Sequence, residues 1–285
     1  MASQDQPVIA FIGAGNMAEA ILGGLYAKRD PSQLGRLRFS EPVKERCEYM
    51  CNKFPKAVSY GSDNNACING ADVVVLAVKP QVMRKVVQEL QVQDPNILVI
   101  SIAAGIRTFD IQRWINSKDT STAVVRCMPN TPALIGEGAA GLYATDAVSD
   151  AQRATAEAIL KSIGKQVVWV EEEKHIDTVT GLSGSGPAYF FLFMEAMKAA
   201  GVESGLSPEV AEALVMQTCV GAGRMAQLSD DDLATLRQKV TSPNGTTEAA
   251  LKTMEAGNIR KIIRDGVLAA ENRGHELANE MGADD

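Results

Sequence analysis

Hydrophobic and polar positions change their rhythm once along this chain. Up to about residue 170, short apolar runs rich in β-branched residues recur: VIAFIG (8–13), RLRFS (36–40), DVVVLAVKP (72–80), ILVISIAAG (97–105), STAVVRCMPNTP (121–132) and KQVVWV (165–170). Segments with helical spacing fill the intervals. This alternation predicts parallel β-α-β units with helices on both faces of one sheet. No β-rich run follows KQVVWV, and the remainder reads as helices broken by SGSGP (183–187), GLSP (205–208), SPNG (242–245) and helix-end glycines such as Gly257 and Gly274. The change falls within EEEKHID (171–177) and divides the chain into domains 1–172 and 173–285. Two of the later helices, GPAYFFLFMEAMKAAG (186–201) and ALVMQTCVGAGRMAQL (213–228), are apolar on almost every side, more than a surface helix needs. They are expected to be buried within a helical domain or between subunits, and a homo-oligomer is the preferred reading.

Composition narrows the partners. The 285 residues are 46% hydrophobic, 22% charged and 5% aromatic, with a formal net charge of -7. That describes two ordinary domains, and the absence of any Lys/Arg block argues against nucleic acid. The five cysteines, Cys47, Cys51, Cys67, Cys127 and Cys219, are scattered and odd in number, which suits free thiols in a reducing compartment. Cys47 and Cys51 would share a helix face, but the only histidines, His175 and His275, lie far off in sequence, so no metal is expected. MASQDQPV at the N-terminus has no basic or apolar leader, and no stretch approaches 18 uninterrupted apolar residues. The expectation is a cytoplasmic protein without a membrane partner, acting on a small molecule.

Candidate chemistry begins at VIAFIGAGNMAEAILGGL, where Gly13, Gly15 and Ala18 form G-x-G-x-x-A after a β run and at the opening of a helix. The first glycine permits a tight turn, the second lets backbone approach a pyrophosphate, and Ala18 lets the helix lie close to the strand. An ordinary glycine turn is the competing account, and the position on the first β run favours the dinucleotide. At the end of the second run, Glu41 suits the ribose 2′-OH of NADH, while Ser40, Lys44 and Arg46 suit the extra phosphate of NADPH; both cofactors stay open. Lys79 ends the third run, as a ligand contact or a solvated lysine. TSPNGTTEAALKTMEAG (241–257) passes from a turn into a helix, which reads as either a capped helix or an anion site. Glu171, Glu172 and Glu173 read as a solvated acidic run, and His175 and His275 as surface or packing residues.

Five stretches in this order, FIGAGNMAEAI, AVKP, RCMPNTPALIGEG, GLSGSGPAYFF and VTSPNGTT, resemble pyrroline-5-carboxylate reductase, the last enzyme of proline biosynthesis. The resemblance spans nearly the whole chain. It implies an α/β fold: an N-terminal Rossmann-like doubly wound sheet with an all-α C-terminal dimerisation domain, the latter binding substrate. It also implies NADPH- or NADH-dependent reduction of 1-pyrroline-5-carboxylate to L-proline by a homodimer, which in several members stacks into a decamer of five dimers. Residue by residue, Gly13, Ala14, Gly15, Asn16 and Met17 resemble the pyrophosphate loop, and Ser40 a contact at the adenosine end. Asn64, Ala77, Val78, Lys79 and Pro80 resemble further cofactor contacts, and Ala103, Ala104, Cys127, Met128 and Asn130 would surround the nicotinamide. Ser242, Gly245, Thr246 and Thr247 resemble the cradle of the substrate carboxylate, with Asn130 helping to orient the carboxamide or neighbouring loops. The turn at Ser183–Pro187 is helix-start chemistry, and the resemblance gives it a share in the pocket. Asn244 replaces a common glycine of the cradle, Leu233 stands where proline is common, and Asp230 receives no role. Another NAD(P)-dependent imine or β-hydroxyacid oxidoreductase would be expected to carry a lysine-based catalytic helix motif, which is not seen. A non-catalytic dinucleotide-sensing oligomer would not need the carboxylate cradle.

Overall fold

The computed structural model describes residues 6–115 and 122–283. Eight strands form one sheet: β1 (Ile9–Ile12), β2 (Leu37–Ser40), β3 (Val58–Ser59), β4 (Val73–Leu76), β5 (Leu98–Ser101), β6 (Ala123–Pro129), β7 (Gly138–Ala144) and β8 (Gly164–Trp169). Their order is β3-β2-β1-β4-β5-β6-β7-β8, parallel throughout except between β6 and β7. Six helices come between them: α1 (Asn16–Lys28), α2 (Lys44–Lys53), α3 (Asn64–Ile68), α4 (Pro80–Glu89), α5 (Thr108–Ile115) and α6 (Asp150–Leu160).

Every residue of β1, β4 and β5 is buried, which is why these strands read as continuous apolar runs rather than alternating ones. The pleat sends alternate residues to two cores. Ile9 and Phe11 join Ile21, Leu22 and Phe39 on one side. Ala10 and Ile12 join Val74, Leu76, Met83 and Val99 on the other. The sheet is therefore covered on both faces, as the β/α alternation predicts.

Two strands have no counterpart among the six apolar runs, the two-residue β3 and β7, and the direction of β7 also departs from expectation. β7 has the sequence GAAGLYA, which carries almost no β-branched residue and gives no strand signal. Its composition follows from close neighbours: a Cβ on Gly141 would lie 2.8 Å from Val179, and one on Gly138 would lie 2.9 Å from Ala133 Cβ and Ile163 O. β7 runs antiparallel to β6 because only residues 130–137 join them, a 3₁₀ turn over Thr131–Ile135 ending at left-handed Gly136. Eight residues are too few for a parallel crossover.

Beyond β8 the described residues form helices only: α7 (His175–Val179), α8 (Gly186–Glu203), α9 (Pro208–Leu228), α10 (Leu233–Lys239), α11 (Thr246–Ala256) and α12 (Ile259–Gly282). The chain divides into two compact units, 1–185 together with 268–285, and 186–267. The units therefore cut the chain differently from the change of rhythm at 172/173. Charge chemistry explains this. Asp177 on α7 pairs with Arg126 of β6, whose side chain is 1% exposed, and its second oxygen lies 3.0 Å from His275 Nδ1 on α12. Gly274 does not end a helix. It sits inside α12, where a Cβ would come within 3.5 Å of Asp177. Nor is the acidic run wholly solvated: Glu172 pairs with Lys174 at the surface, but Glu173 accepts from the Thr108 N–H (2.7 Å) and hydroxyl (2.9 Å) at the start of α5.

In the second unit, α8 and α9 pack against each other where a Cβ on Gly201 would meet Ala211 Cβ at 3.3 Å. Ser207 caps α9, its hydroxyl accepting from the Val210 N–H. Both helices leave large apolar side chains uncovered, including Phe191 (61% exposed) and Leu192 (67% exposed).

Candidate active site

Parallel registry collects the strand ends at one edge of the sheet. Ser40, Ile12, Leu76, Ser101 and Arg126 are successive partners across β2, β1, β4, β5 and β6. The residues that follow those partners, Gly13–Met17, Glu41, Ala77–Pro80, Ala103–Ala104 and, within and just past β6, Cys127–Asn130, therefore emerge side by side. The chain leaves β1 toward β2 on one side and returns as β4 on the other, so the glycine loop lies at the switch point where such sheets hold ligands.

Gly13 has φ +89°, and a Cβ there would lie 2.9 Å from Val78 Cγ1 and 3.0 Å from Ala77 O. Gly15 is exposed, with open space where its side chain would be. α1 starts at Asn16, and no side chain among the described residues caps it, so its first N–H groups face that space. Ala18, 1% exposed, lets α1 lie against the sheet. An open cradle lined by uncapped N–H groups fits a pyrophosphate.

Side chains from the β2–α2 region hold both backbone groups of Ala14. Its N–H donates to Glu41 Oε2 at 3.0 Å, and its carbonyl accepts from Arg46 Nε at 2.6 Å. Arg46 Nη2 also reaches Glu19 Oε2 at 2.6 Å, and Lys53 and Tyr49 bond the other Glu19 oxygen. Burial would raise the Glu19 pKa, but the hydrogen bonds from Lys53, Arg46 and Tyr49 outweigh it and hold the carboxyl below its ordinary value. Sequence reasoning missed Glu19; an acidic residue in the first turn of a dinucleotide helix was the available signal.

The expected residues differ in what they can offer. Ser40 is fully buried, and its hydroxyl donates to Asn64 Oδ1 at 2.7 Å, so the pair forms an internal brace. Lys79 is exposed as the N-cap of α4, with Pro80 following and Ala77 and Val78 half-buried. Ala103 is buried and Ala104 half-buried. Cys127 turns its thiol into the core, where burial pushes its pKa far above the ordinary thiol value, leaving only backbone for a ligand. Met128 is half-buried; a Cβ on Gly184 would meet its Cε at 2.5 Å, which brings the Ser183–Gly184 turn against the end of β6. Asn130 spends its amide within the protein: Nδ2 donates to Ser183 O at 3.1 Å, and Oδ1 accepts from the Ala139 N–H at 2.9 Å. It orients neighbouring loops.

In the second unit, Ser242–Gly245 form the turn read from the sequence, and α11 begins at Thr246. Asn244 takes the left-handed conformation (φ +58°) that a glycine would adopt freely, and its N–H donates to Glu248. The Gly245 N–H donates to Ser242 O at 3.0 Å. No side chain among the described residues caps α11 at Gly245, which leaves the first-turn N–H groups beside the Ser242, Thr246 and Thr247 hydroxyls.

A sheet of this topology, with a glycine cradle at its switch point, defines a dinucleotide-binding protein of the Rossmann type. Residues 173–277 match the family described as pyrroline-5-carboxylate reductase dimerisation, and residues 8–105 match one described as NADP oxidoreductase, coenzyme F420-dependent. The chain is 46% identical to a pyrroline-5-carboxylate reductase of Pseudomonas aeruginosa, over 97% of this chain and 98% of that protein. Among solved structures, it resembles a pyrroline-5-carboxylate reductase from Coxiella burnetii (TM-score 0.87, 41% identity, covering 95% of this chain and 98% of that one). It also resembles a Plasmodium falciparum pyrroline carboxylate reductase with NADP bound (TM-score 0.83, 28% identity, covering 97% and 100%). The chain belongs to the pyrroline-5-carboxylate reductase family, and it is an oxidoreductase with NADPH or NADH as cofactor.

Proposed function

We propose that this protein reduces 1-pyrroline-5-carboxylate to L-proline, the last step of proline biosynthesis. The observation that carries the reading is likeness to a reductase of that name along 97% of the chain, and the two uncapped helix starts of this chain are consistent with it. The dinucleotide, when bound, supplies the hydride that the cyclic imine carbon accepts. Protonated at nitrogen, that carbon is already a strong hydride acceptor, so the protein's contribution is binding and placement.

Gly13–Met17 hold the pyrophosphate, and residues 77–80, 103–104 and 127–130 shape the nicotinamide end. Of these, Cys127 contributes backbone, and Asn130 fixes the loops rather than touching substrate. Ser242, Gly245, Thr246 and Thr247 grip the carboxylate with N–H groups and hydroxyls. The dinucleotide-binding part corresponds to residues 1–172, and substrate binding and association to 173–285. The protein works as a cytoplasmic homodimer, with a decamer of five dimers as the larger form. Support for association comes from the apolar faces left open on α8 and α9 and from the dimerisation family that 173–277 match. Among the described residues no helix is long and apolar enough to cross a membrane.

The test follows NADH and NADPH absorbance with pyrroline-5-carboxylate and with the same ring lacking its carboxylate. Turnover that collapses without the carboxylate is expected. Cofactor binding without turnover of either imine overturns the reading in favour of a sensor.

A further inference from the structure

At the end of β2 the sequence offers both cofactor signals, and the structure separates them. Two of the three groups suited to a 2′-phosphate, Ser40 and Arg46, are already engaged. Ser40 is fully buried, its hydroxyl bonded to Asn64 Oδ1. The Arg46 guanidinium bonds Ala14 O and Glu19 and lies 5.0 Å from the Tyr49 ring centroid. At the entrance to α2, an ordinary place for an anion, the Val43 N–H donates to Glu41 Oε1 at 2.9 Å. The other oxygen of the same carboxylate takes the Ala14 N–H at 3.0 Å. Glu41 thus bridges the glycine loop and the start of α2 and itself fills the anion's place at that corner. Lys44 extends into solvent, its side chain 84% exposed and 3.8 Å from Glu48.

Building on the reading of Gly13–Ala18 as a dinucleotide loop, we propose that Glu41 makes this chain select NADH over NADPH. Its carboxylate accepts the hydroxyl hydrogens of the adenosine ribose and opposes a 2′-phosphate. A phosphate monoester carries about -1.5 to -2 charge near neutral pH, so the opposition is between full charges at short range. The corner is partly open to solvent, so salt weakens the opposition.

The test is equilibrium binding to the full chain without imine, by calorimetry, comparing NADH with NADPH and ADP-ribose with its 2′-phosphate. NADH is expected to bind about tenfold or more tightly than NADPH at low salt, with the gap narrowing as NaCl rises. Glu41→Gln keeps an acceptor for the Ala14 N–H and removes the charge; it should bring the ratio toward one by tightening NADPH. Glu41→Ser should move it the same way, and thermal melts verify that the variants fold. NADPH binding as tight as NADH to the unaltered protein overturns the proposal, as does an unchanged ratio in folded Glu41→Gln. Selective NADH binding by a protein that fails to reduce pyrroline-5-carboxylate upholds this inference and removes only the reductase reading.

Discussion

Ala14 offers no side-chain chemistry, yet both of its backbone groups are held by side chains from the β2–α2 region. Binding therefore does not have to order this loop, which lowers the entropic cost of taking the pyrophosphate. Gly13→Ala would force a Cβ into Val78 at a positive φ; it should destabilise the fold by about 1–3 kcal/mol and weaken NADH binding at least about tenfold, read by melting and calorimetry. Glu19 adds a pH signature. Its folded pKa lies below the ordinary carboxylate value, so its contribution to stability is fully present above about pH 4.3 and fades as pH falls through the depressed folded value. Glu19→Gln should flatten the acid limb of the stability profile and leave stability above neutral pH independent of pH at this position. Burial pushes the Cys67 pKa up to about 12 and that of Cys127 higher still. Both thiols should resist alkylation at pH 8 in the folded protein and react once it is unfolded, as mass spectrometry would read.

Among the elements, α11 and α7 carry the sharpest consequences. The start of α11 combines a left-handed Asn244 with an uncapped first turn, a geometry that suits the proposed carboxylate cradle. Loss of one hydroxyl hydrogen bond to a charged group is worth about 1.5–3 kcal/mol, so Thr247→Ala should raise KM for the imine at least about tenfold while KM for the dinucleotide stays within error. Equal changes in both would remove the turn from carboxylate binding. The α7 residue Asp177 neutralises an Arg126 that has almost no contact with water. Breaking a buried pair on one side costs about 3–5 kcal/mol, so Asp177→Asn should lower the Tm by several degrees, with Glu173, 3.5 Å from Arg126, softening the loss. The Rossmann elements were legible because apolar runs and a glycine fingerprint are local signals. β7 was not: its glycines are required by Val179 and Ile163, well over 20 residues away, and by Ala133 on the intervening turn. Glu173 was misread for the same reason, since its partners, Thr108 and Arg126, lie well over 40 residues away.

At the scale of the molecule, the uncovered faces of α8 and α9 set the main question. Phe190, Phe191 and Leu192 on α8, with Leu214, Val220 and Met225 on α9, are all exposed in the single chain. An apolar surface of that kind marks an interaction site, which the proposed dimer would cover. Leu192→Glu should shift the protein toward monomer in sedimentation, and the Tm of the unaltered protein should rise with concentration, as linkage to association requires. A unit that stays monomeric and equally stable at all concentrations would contradict the dimer.

The sequence by itself determined the β/α alternation, the glycine loop, the turn into α11 and the family, because each rests on contiguous residues or on fixed order along the chain. It also showed that α8 and α9 are apolar on almost every side. Tertiary structure alone decided the direction of β7, the return of residues 268–285 to the first unit, and which charges face which. Those depend on pairings such as Arg126 with Asp177, and Glu41 and Arg46 with Ala14, whose energies exist only once distant segments are brought within a few ångströms.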